Sequence, residues 1–282
     1  METKSTPLSA VANGMRALFW LLLILMLLFQ WFRTPSLDGK RLATIEAMQK
    51  ERGTRVITLI HRQETVSLFG IPINRFIDID DAEAILRAIR LTPAEKPIDL
   101  IIHTPGGLVL AASQIAHAIQ KHKGKVTVFV PHYAMSGGTL IALAADQIVM
   151  DPNAVLGPVD PQIGQLPAAS IIRAVEMKTP EKVEDQTLIL ADISKKAITQ
   201  VASLVSELLK KCMSEKDAQN IADLITTGQF THDFPITVER AKSVGLCIST
   251  DVPKSIYNLM ELYPQTGAGR PSVNYVPLPR SP

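Results

Sequence analysis

With 282 residues the chain can bury one substantial core, and a formal net charge of +2 with no basic block interleaved with aromatics argues against nucleic acid as a partner. Its two cysteines, Cys212 and Cys247, have no close spacing with histidine or with each other. That argues against a zinc site and a disulfide framework and leaves them as small buried apolar residues.

The first pattern is an apolar run from Ala17 to Phe32, bounded by Arg16 and Arg33, with Gln30 as its only polar member. A straight helix of that length covers about 24 Å, and flanking arginines extend its reach by snorkelling. Trp20 and Trp31 lie near its ends, where interfacial tryptophans are common. No small-x-small site follows, so residues 15–33 read as an uncleaved transmembrane anchor in a lipid bilayer, preceded by a disordered 1–14. Lys4 and Arg16 come before the run, whereas Arg33, Lys40, Arg41, Lys50 and Arg52 follow it. The positive-inside rule then puts the downstream domain in the cytoplasm.

A linker over 34–44 carries Pro35 and Gly39. From there, Arg41–Glu51 reads as helix, Val56–His61 as strand, and Asp78–Ile89 as helix with Asp78, Asp80 and Asp81 in its first turn. Ile98–His103 is a mostly apolar strand of the kind found in parallel sheets. Leu108–Lys121 reads as helix, Lys125–Val130 as strand, Ser136–Ala145 as helix and Gln147–Met150 as strand. Val155–Pro161 is a turn-rich loop, Thr187–Lys211 the longest helical stretch, and Glu215–Ile225 a shorter one. Val238–Val244 and Leu246–Ser249 close the pattern as helix and strand. The alternation predicts an α/β domain with a mainly parallel sheet over 45–263. The Pro- and Gly-rich tail 264–282 reads as disordered.

Two glycine-rich turns carry the chemistry: His103-Thr104-Pro105-Gly106-Gly107 and Ala134-Met135-Ser136-Gly137-Gly138-Thr139, each at a strand-to-helix junction. In a parallel sheet such junctions share one edge. Acyl transfer needs a nucleophile and donors for the developing oxyanion. Ser136 supplies a hydroxyl among small neighbours, and Gly137 and Gly107 supply amides. The rival reading is a pair of tight turns with Ser136 capping a helix. No metal cluster appears, and Gly106-Gly107 lacks the spaced glycines of a dinucleotide fingerprint, so no cofactor is expected.

These turns, with Asp151-Pro152-Asn153-Ala154-Val155-Leu156-Gly157-Pro158-Val159-Asp160-Pro161-Gln162, resemble the Clp/crotonase superfamily. Within it they resemble the serine dehydrogenase proteinases, membrane-associated relatives of signal peptide peptidase A and the Clp protease proteolytic subunit. The resemblance covers about residues 45–250. It implies a Clp-like fold and a serine endopeptidase acting on polypeptides, with Ser136 as nucleophile and Gly107 and Gly137 lining the oxyanion hole. It also implies a homo-oligomer. The absence of an ATPase motif implies ATP-independent action.

Ser-His-Asp Clp proteases carry their histidine a short stretch after the serine, and here none lies between His132 and His232. The membrane-associated relatives resemble users of a Ser-Lys dyad instead. A lysine becomes a base only when desolvation draws its pKa toward neutrality. Leu190, Ile193, Ala197, Val201 and Val205 follow steps of three or four, which predicts a buried face with Lys196 near it. Lys196 is therefore the expected base, with Lys178 and Lys195 as alternatives. His103 is a further candidate, as a turn or substrate-positioning residue. Two other functions share the turns: a crotonase-like acyl-CoA enzyme, which needs a CoA site, and a non-catalytic membrane scaffold.

Overall fold

The computed structural model describes residues 13, 15–26, 36–61, 66–68, 71–73 and 75–263. It divides into two compact units, Met1–Ile45 and Glu46–Pro282. In the first, residues 15–26 are helical with their apolar side chains largely exposed. Among the described residues no helix is long and apolar enough to cross a membrane. The rest of the expected anchor, 27–33, lies outside the described residues, as do the ends expected to be disordered, apart from residue 13.

Helix α1 (Leu37–Arg52) begins earlier than the sequence suggests, because Ser36 caps it: the Gly39 amide donates to Ser36 Oγ at 3.1 Å. Part of the expected linker is therefore helical.

The second unit is built on a five-stranded sheet in the order β1-β4-β5-β7-β12, every neighbour parallel. Its strands are β1 (Arg55–Ile60), β4 (Ile98–His103), β5 (Val126–Val130), β7 (Gln147–Met150) and β12 (Ile248–Ser249). β2 (Val66–Leu68) and β3 (Ile71–Ile73) form a separate hairpin. β4 and β5 are buried at every residue, as apolar runs covered on both faces must be. One charge lies within β4: Asp99 accepts from Arg52 Nε at 2.5 Å and Thr54 Oγ1 at 2.8 Å, so the buried carboxylate is paired.

Helix α2 (Ile79–Arg90) starts with a reciprocal capping box between Asp78 and Asp81. Helix α3 (Val109–Lys121) buries Ala111, Ala112, Ile115, Ala116 and Ile119. It packs on α2 and on α4 (Gly137–Leu143), whose residues are all buried. A smaller sheet, β11-β8-β6, continues from the strand ends that carry the two turns. It comprises β6 (Tyr133–Ala134), β8 (Val155–Leu156) and β11 (Ile236–Thr237), with β6 and β8 parallel.

β9 (Gln162–Ile163) and β10 (Leu166–Pro167) make a second small hairpin leading into α5 (Ala168–Glu176). The long helix α6 (Asp185–Leu209) packs on α5, α4 and α7 (Glu215–Thr226). Helices α8 (Val238–Ser243) and α9 (Lys254–Glu261) complete the unit. The cysteines depart from expectation: Cys212 and Cys247 are both exposed, lying in the connections after α6 and α8 rather than on a core face.

Candidate active site

The glycine turns close on the C-terminal ends of β4 and β5 and are laced together by backbone. The Thr104 amide donates to Tyr133 O at 3.2 Å, and the Met135 amide donates to Thr104 O at 3.0 Å. The Met135 carbonyl then accepts from the Gly138 amide at 2.7 Å. This closes a four-residue turn whose second residue, Ser136, has φ 49° and ψ −115°. That is the type II′ geometry, in which the first central position favours glycine.

Among the described residues Ser136 is the only non-glycine with positive φ. Holding a side chain there costs about 1–3 kcal/mol. An ordinary capping serine would sit in extended backbone and accept from the first helical turn. Ser136 does neither, since its side chain makes no capping hydrogen bond. Simple helix capping therefore does not explain it.

The neighbouring turn is held by Ile77. Its amide donates to Gly106 O at 2.7 Å, and its carbonyl accepts from Leu108 at 2.8 Å. Because C=O and N–H of a trans peptide point in opposite directions, the Gly107 amide points away from Ile77. A Cβ on Gly107 would fall 2.2 Å from Ile77 O, so no other residue fits. A Cβ on Gly106 would fall 2.7 Å from Ser136 Cβ, and one on Gly137 would fall 3.5 Å from the Gly107 nitrogen. Ser136, Gly107 and Gly137 thus share one small space. Within the described structure neither the Gly107 nor the Gly137 amide donates a hydrogen bond. A helix's first amide has no intrahelical acceptor in any case. Two unused donors beside a strained serine are what an oxyanion hole requires.

Sequence reasoning missed Ile77, and it also missed Thr139. Thr139 Oγ1 lies 2.7 Å from Ala134 O, 2.9 Å from Gly157 O and 3.0 Å from the Gly157 amide, tying α4 to β6 and to the loop after β8. Further along that loop Asp160 is buried. Its Oδ1 meets His232 Nδ1 at 2.7 Å, and its Oδ2 accepts from Gln162 Nε2 at 2.6 Å. The hydrogen bond to the Asp160 carboxylate raises the His232 pKa above the usual imidazole value. Asp146 and Asp151 have structural partners. Asp146 accepts from the Val126 amide and pairs with Lys211, and Asp151 accepts from Tyr257. His103, at the end of β4, is fully buried with its ring against Tyr133 and stacked on His132.

The lysines sit on the segment that follows the turns in sequence. Lys178 follows α5, and Lys195 and Lys196 lie on α6; all three are exposed. Lys196 Nζ meets Asp192 Oδ2 at 2.5 Å, and its side chain is 68% exposed. The buried face of α6 matches expectation at Val201 and Val205 and departs from it nearer the N-terminus. It runs through Ala191, Ser194, Val201, Ala202 and Val205, whereas Ile193 is 43% exposed. Small residues face the packing neighbours because helices approach closely there, and the larger Leu188, Ile189 and Ile193 are left outside. Lys196, two residues beyond fully buried Ser194, is about 200° round the helix from it. The periodicity that favoured Lys196 over Lys178 and Lys195 therefore falls away.

The chain matches the family model described as ClpP-like SDH-type serine proteinase over residues 3–282. It is 54% identical to MJ0137 of Methanocaldococcus jannaschii over 276 residues, covering 98% of this chain and 96% of that protein. It is 55% identical to MJ1495 of the same organism over 269 residues, covering 95% and 92%. Both relatives are described as uncharacterized. Among solved structures, ClpP1 from Listeria monocytogenes aligns with a TM-score of 0.47 at 19% identity, over 73% of this chain and 97% of that one.

Proposed function

The chain belongs to the ClpP-like SDH-type serine proteinases and is a serine peptidase, and on that premise we propose that Ser136 is its nucleophile and that the Gly107 and Gly137 amides form its oxyanion hole. The observation that carries this is the strained, uncapped Ser136 beside two amides with no other use. Ser136 Oγ attacks the scissile carbonyl and its proton passes to a base. The carbonyl oxygen, now negative, is held by the two amides, and the amine leaves with a proton. Water then attacks the acyl-enzyme by the same route and releases the acid.

The base in this proposal is a lysine of the α5–α6 region: Lys196, Lys195 or Lys178. Each is exposed in the isolated chain, so a working dyad requires that region to be covered by bound polypeptide or by a second copy of the chain. The outward Leu188, Ile189 and Ile193 on α6 support such covering. The apolar run Ala17–Phe32 supports single-pass anchoring, with the peptidase on the cytoplasmic side and acting without ATP.

A fluorophosphonate probe tests the core of the proposal. Labelling should disappear in Ser136→Ala, and one of Lys178→Ala, Lys195→Ala and Lys196→Ala should lose it while the other two keep it. Labelling that survives in Ser136→Ala removes Ser136 as nucleophile. Full labelling in all three lysine variants removes the dyad.

A further inference from the structure

Behind the glycine turns lies a buried polar relay that no step of the peptidase reaction consumes. His61, the residue after β1, is 5% exposed. Its amide continues the parallel ladder by donating to His103 O at 2.7 Å, which fixes the ring's position beside the turn. Its Nδ1 lies 2.9 Å from Thr104 Oγ1, and its Nε2 lies 3.1 Å from Asp81 Oδ2. That same Asp81 oxygen accepts from the Asp78 amide at 3.1 Å, so the carboxylate is already held by the capping box of α2.

The hydrogen-bond directions follow from the partners. A carboxylate can only accept, so Nε2 carries a ring hydrogen, and in the neutral form of the ring Nδ1 presents a lone pair. The Thr104 hydroxyl donates to that lone pair. This leaves the Thr104 oxygen to accept from the buried Gly106 amide, 3.2 Å away. In this tautomer the ring, the hydroxyl and the amide are all satisfied, whereas the opposite tautomer would set an Nε2 lone pair against the Asp81 carboxylate.

Thr104 is the point where this relay meets both turns. Its backbone brackets Ala134 by two hydrogen bonds, to the Tyr133 carbonyl and from the Met135 amide, just before Ser136. Its methyl lies 2.6 Å from where a Cβ on Gly138 would be. Its hydroxyl draws the Gly106 amide inward while Ile77 takes the Gly106 carbonyl on the other side. Ile77 thus holds the peptide between Gly106 and Gly107, and Thr104 holds the one before it; with both peptides of Gly106 fixed, so is the direction of the Gly107 amide.

We infer that His61 is a positioning residue of the peptidase: through Thr104 it sets the direction of the oxyanion-hole amide of Gly107, with Asp81 holding its tautomer. This rests on the assignment of Ser136 and Gly107 above. Residues 61 and 81 touch none of the reacting atoms, and their effect is on the rate at which a bound group reacts rather than on how tightly it binds.

Asparagine and glutamine at position 61 separate this role from a purely structural one. Asparagine offers an acceptor near the Nδ1 position, facing Thr104, and glutamine reaches the Nε2 position, facing Asp81. If His61 acts through Thr104, His61→Gln lowers the limiting rate of fluorophosphonate labelling by roughly tenfold, a fraction of the cost of deleting an oxyanion donor. The half-saturating probe concentration stays within about twofold, and His61→Asn retains most of the rate. Thr104→Val should match His61→Gln, the double variant should be no slower than either, and Thr104→Ser should rescue.

If His61 merely staples α2 to the sheet, glutamine outperforms asparagine, and that order overturns the proposal, as do wild-type rates in both variants. Should the His61 variants fail to fold in a melting scan, equal rates for Thr104→Val and Thr104→Ser overturn it instead. Labelling that survives Ser136→Ala removes the nucleophile, and the relay's role falls with it. Ser136-dependent labelling that is indifferent to position 61 removes the relay alone.

Discussion

The strain at Ser136 makes a quantitative prediction about two variants that lack its hydroxyl. Ser136→Ala and Ser136→Gly both remove the hydroxyl, but only alanine keeps a Cβ at φ 49° and ψ −115°. Relief of that backbone strain favours glycine by about 2 kcal/mol, the middle of the range for such conformations. Against it, glycine loses more freedom on folding, about 0.7 kcal/mol. Removing a half-buried methyl costs roughly a further 0.4 kcal/mol. The balance leaves Ser136→Gly more stable than Ser136→Ala by about 1 kcal/mol, and the melting temperature should be higher by about 2–4 °C for a domain of this size. Differential scanning fluorimetry of the two proteins at one concentration measures it, and autolysis confounds neither. If Ser136→Gly melts at or below Ser136→Ala, the turn stores no strain at this residue and the argument for Ser136 from its backbone collapses.

Thr139→Val is nearly isosteric, yet it strips the partner from the Gly157 amide and from one buried carbonyl. At roughly 1–3 kcal/mol for each orphaned group, the variant should lose about 2–4 kcal/mol in denaturant unfolding. A loss under about 0.5 kcal/mol would show that Thr139 does not tie α4 to the loop after β8. His232 makes a pH prediction. Its pKa is raised in the folded state by the hydrogen bond to Asp160, so the protonated ring favours folding. That contribution is complete below the unfolded imidazole value of 6.5 and is lost as pH rises through the higher folded value. Melting temperature should therefore fall more steeply in the wild type than in His232→Gln as pH rises above 6.5. Identical slopes would refute the coupling.

The main sheet was legible because its strands are short apolar runs separated by helical spacing. β4 and β5 are buried at every residue, and a strand buried on both faces has no other composition open to it. The β6-β8-β11 sheet was not legible, because strands of two residues carry no periodicity. The Asp160–His232 pair joins residues far apart in sequence through that same sheet. The glycines at 106, 107 and 137 announced close backbone approach, but not that Ile77 would be the approaching chain. On α6 the hydrophobicity of Ile193 misled. Burial there follows the small Ala191 and Ser194, since close helix packing selects for size before it selects for apolarity.

The same contrast explains why the two halves of the catalytic apparatus differ in how far the sequence reaches. A nucleophile at a strained turn and a pair of amide donors are backbone features, and glycine is the residue that permits them. Their signature is therefore written locally, at 104–107 and 135–138. A lysine base has no such signature. Its basicity depends on what removes water from its ammonium group, and Lys178, Lys195 and Lys196 are exposed on surfaces that the isolated chain leaves open. With the amine in water and paired to Asp192, Lys196 is an ordinary surface cation. On the proposed dyad it would act as a base only when a polypeptide or a second subunit covers α6. If the dyad is correct, peptidase activity therefore appears with assembly or with substrate engagement. If a second subunit supplies the cover, dilution that separates subunits should abolish turnover while leaving the strained turn at Ser136, and its differential stability, unchanged; if substrate supplies it, turnover per chain should survive dilution.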